Sequence, residues 1–261
     1  LAAATTPPVV LTTRAEAAAK LRALEATVND PEHVRRAKRL MGIAVGRFEG
    51  HYLTERHHSF VFLGEPRHGK PLVGEEALAA IAGVTKVGLS LNDQQDSVRL
   101  EGQDGVGREV ARRALARILR RPPANDAEVV ALTKDMQAQV DREVMDLGRK
   151  AFSTLRVPKA HPEIVGLVGR LNWRTSYTQN QWKHAIEAAF LCGMMAEELG
   201  LDVKVARRAA LMHDIGKALT HELDGSHAVI GADVARRLGE AEVVANAIGA
   251  HHTDEPFGSP Y

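Results

Sequence analysis

The sequence predicts an α+β N-terminal domain followed by an all-α domain, in a chain that is mostly helical overall. Between residues 57 and 121, short aromatic and β-branched runs alternate with amphipathic helical patterns, as in an α+β unit. Beyond that point the main segments have helical periodicity, and several carry a histidine beside apolar residues. These observations indicate two domains of different architecture.

Residues 1–56 are predicted to form a flexible arm followed by a helical segment. The arm consists of small residues and prolines without periodicity, whereas 14–28 and 31–52 carry Ala, Leu, Glu and Arg at helical spacing. Asp30 before Pro31 matches an N-cap followed by proline at the first helical position.

Residues 57–121 are predicted to form the α+β domain in the order strand, helix, strand, strand, helix. A polar turn separates the second strand from the third, and the last helix has one apolar side. In chain order these elements are expected at 58–63, 74–81, 87–91, 97–100 and 108–120, with the first helix ending at Gly83.

Residues 122–160 are predicted to form a linker helix, because two prolines break the chain at residue 122 and Asn125 or Asp126 can cap a new helix. Residues 161–261 should form the all-helical domain. Its helical segments are expected at 162–171, 179–199, 204–217, 226–238 and 240–252.

The composition restricts the setting and the partners of the chain. A formal net charge of +1 over 261 residues provides no global nucleic-acid signature, so any basic binding surface must be local. The single Cys192 excludes an internal disulfide and favours a cytoplasmic location. No stretch is long and apolar enough to predict a membrane segment in this chain, and membrane anchoring of a longer parent chain is compatible with that expectation.

The most informative motif is the heptapeptide at 211–217, in which His213 and Asp214 are adjacent. One metal ion can bind both an imidazole and a carboxylate, and burying this pair beside Leu211 and Met212 would be costly without such compensation. Further histidines lie on other predicted helices, as expected of a metal site built in a helical bundle. These additional candidate ligands are His184, His227, His251 and His252.

Each candidate also has a simpler interpretation. A single histidine on a half-apolar helix is more often a core or surface residue, but the whole set is harder to explain because buried imidazoles need partners. Lys217 lies one helical turn beyond His213, where it could contact a phosphate or stabilise Asp214, or be an ordinary surface lysine. Asp254 lies in a polar turn and is predicted to be a loop or cap residue.

The histidine motifs resemble the HD superfamily of metal-dependent phosphohydrolases, and more closely the ribonuclease Y family. Two elements are more specific than the His-Asp pair alone. They are Arg174-Thr175-Ser176-Tyr177 and Gly225-Ser226-His227. The resemblance extends upstream to about residue 37 and identifies 57–121 as a KH-like domain and 161–261 as an HD domain.

This resemblance implies metal-assisted hydrolysis of phosphodiester bonds in single-stranded RNA. His184, His213 and Asp214 would hold one divalent ion, which could be Mn, Mg, Zn or Fe. A second ion would be held by His227, His251 and His252. The ions would activate a water and offset charge in the transition state, with Asp214 and Lys217 as the catalytic residues and Lys217 on a non-bridging phosphate oxygen.

Two departures from the family pattern affect this expectation. KH domains hold the nucleic-acid backbone with a Gly-x-x-Gly loop, but here the corresponding place has Gly74, Glu75, Glu76 and Ala77. The acidic pair would repel phosphate, so only weak RNA binding is expected through this domain. HD sites of this type also take a further aspartate from a helix beyond His252, so the HD domain is expected to be truncated at its C-terminus.

Two other functions stay open at this stage. The chain could be a non-catalytic binding or assembly module with a degenerate KH unit, or an HD phosphodiesterase of small nucleotides. The intact His-Asp motif with its supporting histidines favours a hydrolase. A homodimer is a further possibility that the resemblance raises.

Overall fold

The computed structural model describes residues 59–177, 179–219 and 225–261. The predicted arm and helical segment of 1–56 lie outside the described residues. The first strands and helices are β1 (Phe60–Phe62), α1 (Glu75–Thr85), β2 (Gly88–Leu91), β3 (Ser97–Glu101) and α2 (Gly105–Arg120). This order confirms the predicted α+β unit.

The three strands form an antiparallel sheet in the order β1-β3-β2. The register pairs Phe60 with Arg99 and Leu89 with Leu100. Alternate residues point to opposite faces of a strand, so Val98 and Leu100 are buried in the core while Phe60 is exposed on the other face. Buried residues of α1 and α2 complete that core.

Two predicted helix boundaries in this unit are wrong. The first helix does not end at Gly83: it continues to Thr85 and ends where Lys86 adopts a left-handed φ of 59°. Gly83 faces open space, so nothing at that position interrupts the helix. The second helix begins at Gly105, three residues before the predicted 108, because the side chain of Asp104 caps it by accepting from the Val106 N–H.

The predicted linker forms the long helix α3 (Asp126–Leu155), capped at its start by Asn125, whose side chain accepts from the Glu128 N–H. This helix packs against α1 and α2 on one side and the following helix on the other. Arg113 of α2 forms two hydrogen bonds to the Glu143 carboxylate, at 2.6 and 2.7 Å. The division of the chain at 121 and 160 stays a prediction, since α3 contributes to packing on both sides.

The rest of the described chain is mostly helical, as predicted. It comprises α4 (Pro162–Arg170), α5 (Gln181–Glu198), α6 (Val203–Met212), α7 (His227–Arg237) and α8 (Glu242–Ala250), with short 3-10 turns at Leu171–Trp173 and Ile215–Ala218. One addition is the hairpin β4 (Thr175–Ser176) and β5 (Gln179–Asn180), which precedes α5. The helix expected at 204–217 ends at Met212, because the chain tightens into the 3-10 turn.

This helical part has its own core, which includes Leu171, Leu211, Ile215 and Ile248. Among the helices of the described ranges, none has the length and hydropathy required to cross a membrane.

Candidate metal centre

The six predicted ligands come from different helices and turns of the helical part. His184 lies in the first turns of α5, and His213 and Asp214 follow the end of α6. His227 is the first residue of α7, where Ser226 caps the helix by accepting from the Ala228 N–H. The pair His251 and His252 follows the end of α8. The structure brings all six together.

His184, His213 and Asp214 form the first group, in which one ligand atom of each lies within 4.8 Å of the others. The Nε2 atoms of the two imidazoles are 3.3 Å apart. Oδ2 of Asp214 lies 3.1 Å from Nε2 of His213 and 3.8 Å from Nε2 of His184. The three lone-pair donors therefore surround one small volume.

His227, His251 and His252 form the second group, in which one ligand atom of each again lies within 4.8 Å of the others. Asp214 connects the two groups, because its other oxygen, Oδ1, lies 3.1 Å from Nε2 of His227 and 3.7 Å from Nε2 of His251. His252 is the exposed member. The two oxygens of the Asp214 carboxylate thus face different groups: Oδ2 faces the first and Oδ1 faces the second.

Backbone carbonyls orient two of the imidazoles. Nδ1 of His213 lies 2.7 Å from the Ala210 carbonyl oxygen, and Nδ1 of His251 lies 2.6 Å from that of Ile248. A carbonyl only accepts, so Nδ1 carries the hydrogen and Nε2 keeps its lone pair. This arrangement leaves the Nε2 lone pairs of both residues available to the centre.

The centre is buried, and several of its polar atoms lack hydrogen-bond partners among the described residues. Only 2% of the Asp214 side chain is exposed. Asp214 Oδ1, His227 Nε2 and His251 Nε2 are buried and have no hydrogen-bond partner within the described ranges. Unsatisfied buried acceptors are costly, and a divalent cation would satisfy all three. The donor set therefore fits a metal.

The charge states of the side chains agree with that fit. Burial raises the pKa of the Asp214 carboxyl, but hydrogen bonds from His213, His227 and His251, when their Nε2 atoms are protonated, hold that pKa below its usual range. Burial, and then the neighbouring His213, lower the pKa of the His184 imidazole. Asp214 is thus ionised and His184 neutral near pH 7, which are the forms that bind metal.

Lys217 is the cationic neighbour of this carboxylate. Its Nζ donates a hydrogen bond to Asp214 Oδ2 at 2.8 Å and another to Gln181 Oε1 at 3.1 Å. The predicted contact between Lys217 and Asp214 is therefore present, and the side chain is only 13% exposed rather than on the surface.

Gln181 was not singled out by the sequence analysis. It is almost fully buried at the start of α5. Its Nε2 lies 3.2 Å from the Ser176 carbonyl and 3.3 Å from that of Gln179, so one amide joins the β4–β5 hairpin to Lys217. The only sequence signal was its place directly after the N-cap Asn180.

The packing around Gly216 explains why the heptapeptide has glycine at this position. A Cβ at this position would lie 2.0 Å from the carbonyl oxygen of His227. Only glycine permits the 3-10 turn to approach the start of α7 so closely, and that approach brings His227 to Asp214.

Asp254 lies beside the centre but in neither ligand group. Its Oδ2 accepts a hydrogen bond of 2.5 Å from the hydroxyl of Ser226, the N-cap of α7. Asp254 therefore supports the cap that precedes His227.

Comparisons with known proteins show what this chain is similar to. Residues 182–258 match the HD domain family. The chain is 42% identical to ribonuclease Y of Pelobacter propionicus and 40% identical to that of Geobacter metallireducens, in each case over 92% of this chain and 46% of the relative. It is 36% identical to ribonuclease Y of Nitratidesulfovibrio vulgaris, over 94% of this chain and 47% of the relative. The chain therefore spans about half the length of these relatives. No solved structure matches it.

Proposed function

We propose that the chain, which is similar to ribonuclease Y and matches the HD domain family at residues 182–258, is a metal-dependent endoribonuclease that hydrolyses single-stranded RNA. The observation that carries the proposal is the buried carboxylate of Asp214 between two imidazole groups. We further propose a cytoplasmic setting and a homodimer.

In this proposal His184, His213 and Asp214 hold one divalent ion, and His227, His251 and His252 hold a second. The unsatisfied lone pairs of Asp214 Oδ1, His227 Nε2 and His251 Nε2 support this assignment. When bound, such ions lower the pKa of a water and act as Lewis acids toward phosphoryl oxygens. The carbonyls of Ala210 and Ile248 keep two of the imidazoles in the tautomer that presents Nε2.

Lys217 and Asp214 are proposed as the catalytic residues of the chain. The ammonium group of Lys217 is positioned by Asp214 and Gln181, at the edge of the ligand cluster. There it would bind a non-bridging phosphate oxygen and offset the negative charge that develops in the transition state. Gln181 is a positioning residue, because it acts through Lys217.

Binding of RNA by the KH-like domain is proposed to be weak. Glu75 and Glu76 are exposed at the first turn of α1, where the Gly-x-x-Gly loop of a KH domain would meet phosphate. Two carboxylates at a helix N-terminus repel the anion that this position would otherwise attract. RNA would therefore be engaged mainly by the HD domain.

The proposal is tested by cleavage of a 5′-labelled RNA in the presence of Mn²⁺. Asp214→Asn keeps the shape of the side chain and removes its charge, so we expect a fall in rate of about a hundredfold or more. Asp233→Asn on α7, whose side chain is 71% exposed, is the matched control and should cleave normally. Equal rates for the wild type and Asp214→Asn would refute the proposal.

The same assay addresses the other two functions. A small-nucleotide phosphodiesterase would use the same imidazoles, so a cyclic dinucleotide is included as a competing substrate. Hydrolysis of the dinucleotide with intact RNA would support that alternative. Binding of RNA without any cleavage would support the non-catalytic module.

A further inference from the structure

An apolar cavity of about 410 Å³ opens beside the metal centre. It lies between α5, α6, α8 and the C-terminal residues 257–261. Three of the proposed ligands, His184, His213 and His251, form part of its wall. The cavity is therefore continuous with the place where the scissile phosphate would bind.

The cavity exists because alanines stand one helical turn from each of these histidines. Ala188 follows His184 by four residues on α5, and Ala209 precedes His213 by four on α6. Ala247 precedes His251 by four on α8. Residues four apart share a helix face, so each small side chain leaves space directly beside an imidazole.

The chemistry of the wall favours a ligand with a neutral, apolar surface. Apart from the three histidines, the described lining residues carry no acidic or basic side chain. Burial raises the pKa of the Cys192 thiol, which keeps it neutral. Phe257 and Tyr261 supply aromatic surface on the tail side, and the Tyr261 hydroxyl accepts a hydrogen bond from the Asp202 N–H.

We propose that this cavity is the subsite for the nucleobase of the nucleotide attached to the scissile phosphate. The inference rests on the proposed function and names the part of the substrate that the same site recognises. A phosphate would find no cation among the alanines, whereas a base offers an apolar face that aromatic and aliphatic side chains can cover. The cavity volume lies within the range of small-molecule sites, about 300–1,000 Å³.

Binding measurements by calorimetry test this subsite without depending on catalysis. The Mn²⁺-loaded 261-residue chain is titrated with AMP and with ribose 5-phosphate, which carries the same phosphate and sugar but no base. We expect AMP to bind about tenfold more tightly, the difference being the contribution of the base. Equal affinities in the wild type would overturn the proposal, as would no binding of AMP.

Two variants that fill the cavity test whether the preference for AMP arises there. Ala188→Leu and Ala247→Leu add bulk at half-buried positions, and each should abolish the preference for AMP while leaving ribose 5-phosphate affinity unchanged. Glu197→Leu, on the exposed surface of α5 outside the cavity, is the matched control and should keep the preference. Retention of the preference in both folded cavity variants would place the base elsewhere and overturn the proposal.

These outcomes separate the subsite from the proposed function. If RNA stays intact but AMP is preferred and the leucine variants lose that preference, the hydrolase proposal fails and the subsite stands. If RNA is cleaved but AMP and ribose 5-phosphate bind equally, the subsite fails and the hydrolase stands. Circular dichroism confirms folding, and one folded leucine variant is sufficient.

Discussion

Asp214 and Gly216 show how single residues determine the centre. The Asp214 carboxylate is 2% exposed, faces one imidazole group with each oxygen and accepts a hydrogen bond from Lys217. A buried carboxylate with that many partners is far more costly to lose than an exposed one. Gly216 contributes because it has no side chain, which allows its backbone to lie against the His227 carbonyl.

Replacing Gly216 with alanine should therefore destabilise the chain and weaken metal binding. The new Cβ would lie 2.0 Å from the His227 carbonyl oxygen, so the start of α7 must move away from Asp214. We expect the free energy of unfolding to fall by about 1–3 kcal/mol in urea denaturation. Mn²⁺ affinity, measured by calorimetry, should fall as well.

Gly83→Ala is the matched control for this change. Gly83 lies inside α1, and a Cβ there would meet no atom within 4 Å. Alanine is the better helix former, so this variant should be more stable than the wild type by about 0.5–1 kcal/mol. A Gly216→Ala variant as stable as the wild type would show that the close approach is unimportant.

Local signals in the sequence were sufficient to select the residues that the structure brings together, but not the residues that position them. His213, Asp214 and Lys217 share one short motif, so their proximity is local. Gln181 contacts Lys217 across 36 positions of sequence, and the requirement for glycine at 216 comes from a carbonyl on another helix. Such contacts depend on tertiary packing, which periodicity does not encode.

At the scale of elements, Arg236 connects α7, α8 and the C-terminal residues. Its guanidinium donates to Glu242 at the start of α8, with a shortest distance of 2.9 Å, and to Glu255, with a shortest distance of 2.7 Å. The Arg236 hydrogen bonds are the main cause that lowers the pKa of the Glu255 carboxyl. This ion-pair network fixes the chain just beyond His251 and His252.

The stabilisation by Arg236 should depend on pH. A carboxyl whose pKa is lowered on folding stabilises the fold above its unfolded pKa and loses that contribution as pH falls through the folded pKa. Arg236→Met should therefore cost about 1 kcal/mol near pH 7, the upper value for partly exposed pairs. The difference from the wild type should shrink below about pH 4, where unfolded glutamates are protonated.

Thermal unfolding of both proteins from pH 7 to pH 3 provides the measurement. Arg149→Met is the control, because Arg149 pairs with Asp146 in an ion pair whose side chains are 64% and 73% exposed. That variant should match the wild type at every pH. A stability difference for Arg236→Met that is constant with pH would contradict the ion-pair explanation.

Element types were predicted better than element ends. The strands and the amphipathic helix α2 follow from alternation and helical periodicity, both of which are local. The end of α1 was misplaced because glycine at 83 is tolerated in a packed helix, and the start of α2 because the Asp104 cap was not recognised. The two-residue strands of the β4–β5 hairpin are too short to give a periodic signal.

At the scale of the whole molecule, the α+β unit is packed onto the rest of the described chain. A Cβ at Gly105, the first residue of α2, would lie 1.9 Å from the Trp173 carbonyl oxygen. The buried Trp173 packs with residues of both α2 and α3, including Val110 and Val140. The absence of a side chain at Gly105 therefore allows close packing between the two parts.

Reversing the charge of the acidic pair on α1 should increase RNA affinity of the chain. Glu75→Lys with Glu76→Lys would replace two exposed carboxylates at the proposed phosphate position with two cations. In a plot of the logarithm of the binding constant against the logarithm of the salt concentration, each added phosphate contact should steepen the slope by about 0.7 for single-stranded RNA. Fluorescence anisotropy with a labelled RNA at several salt concentrations measures both quantities.

The control for that variant is a similar charge change at Glu197 and Glu198, both exposed on α5. Lysines there should alter RNA affinity much less if α1 is the place where a KH domain meets phosphate. An equal gain from both double variants would indicate a general charge effect and contradict the assignment.

The most direct test of the proposed two-group metal centre is the number of ions bound per chain. Elemental analysis after dialysis against Mn²⁺ should give about two ions for the wild type and about one each for His184→Ala and His252→Ala, which belong to different groups. Asp214→Ala should lose both, because its oxygens face both groups, and His68→Ala, an exposed histidine of the α+β unit, should lose none. An unchanged ion count in Asp214→Ala would contradict the account.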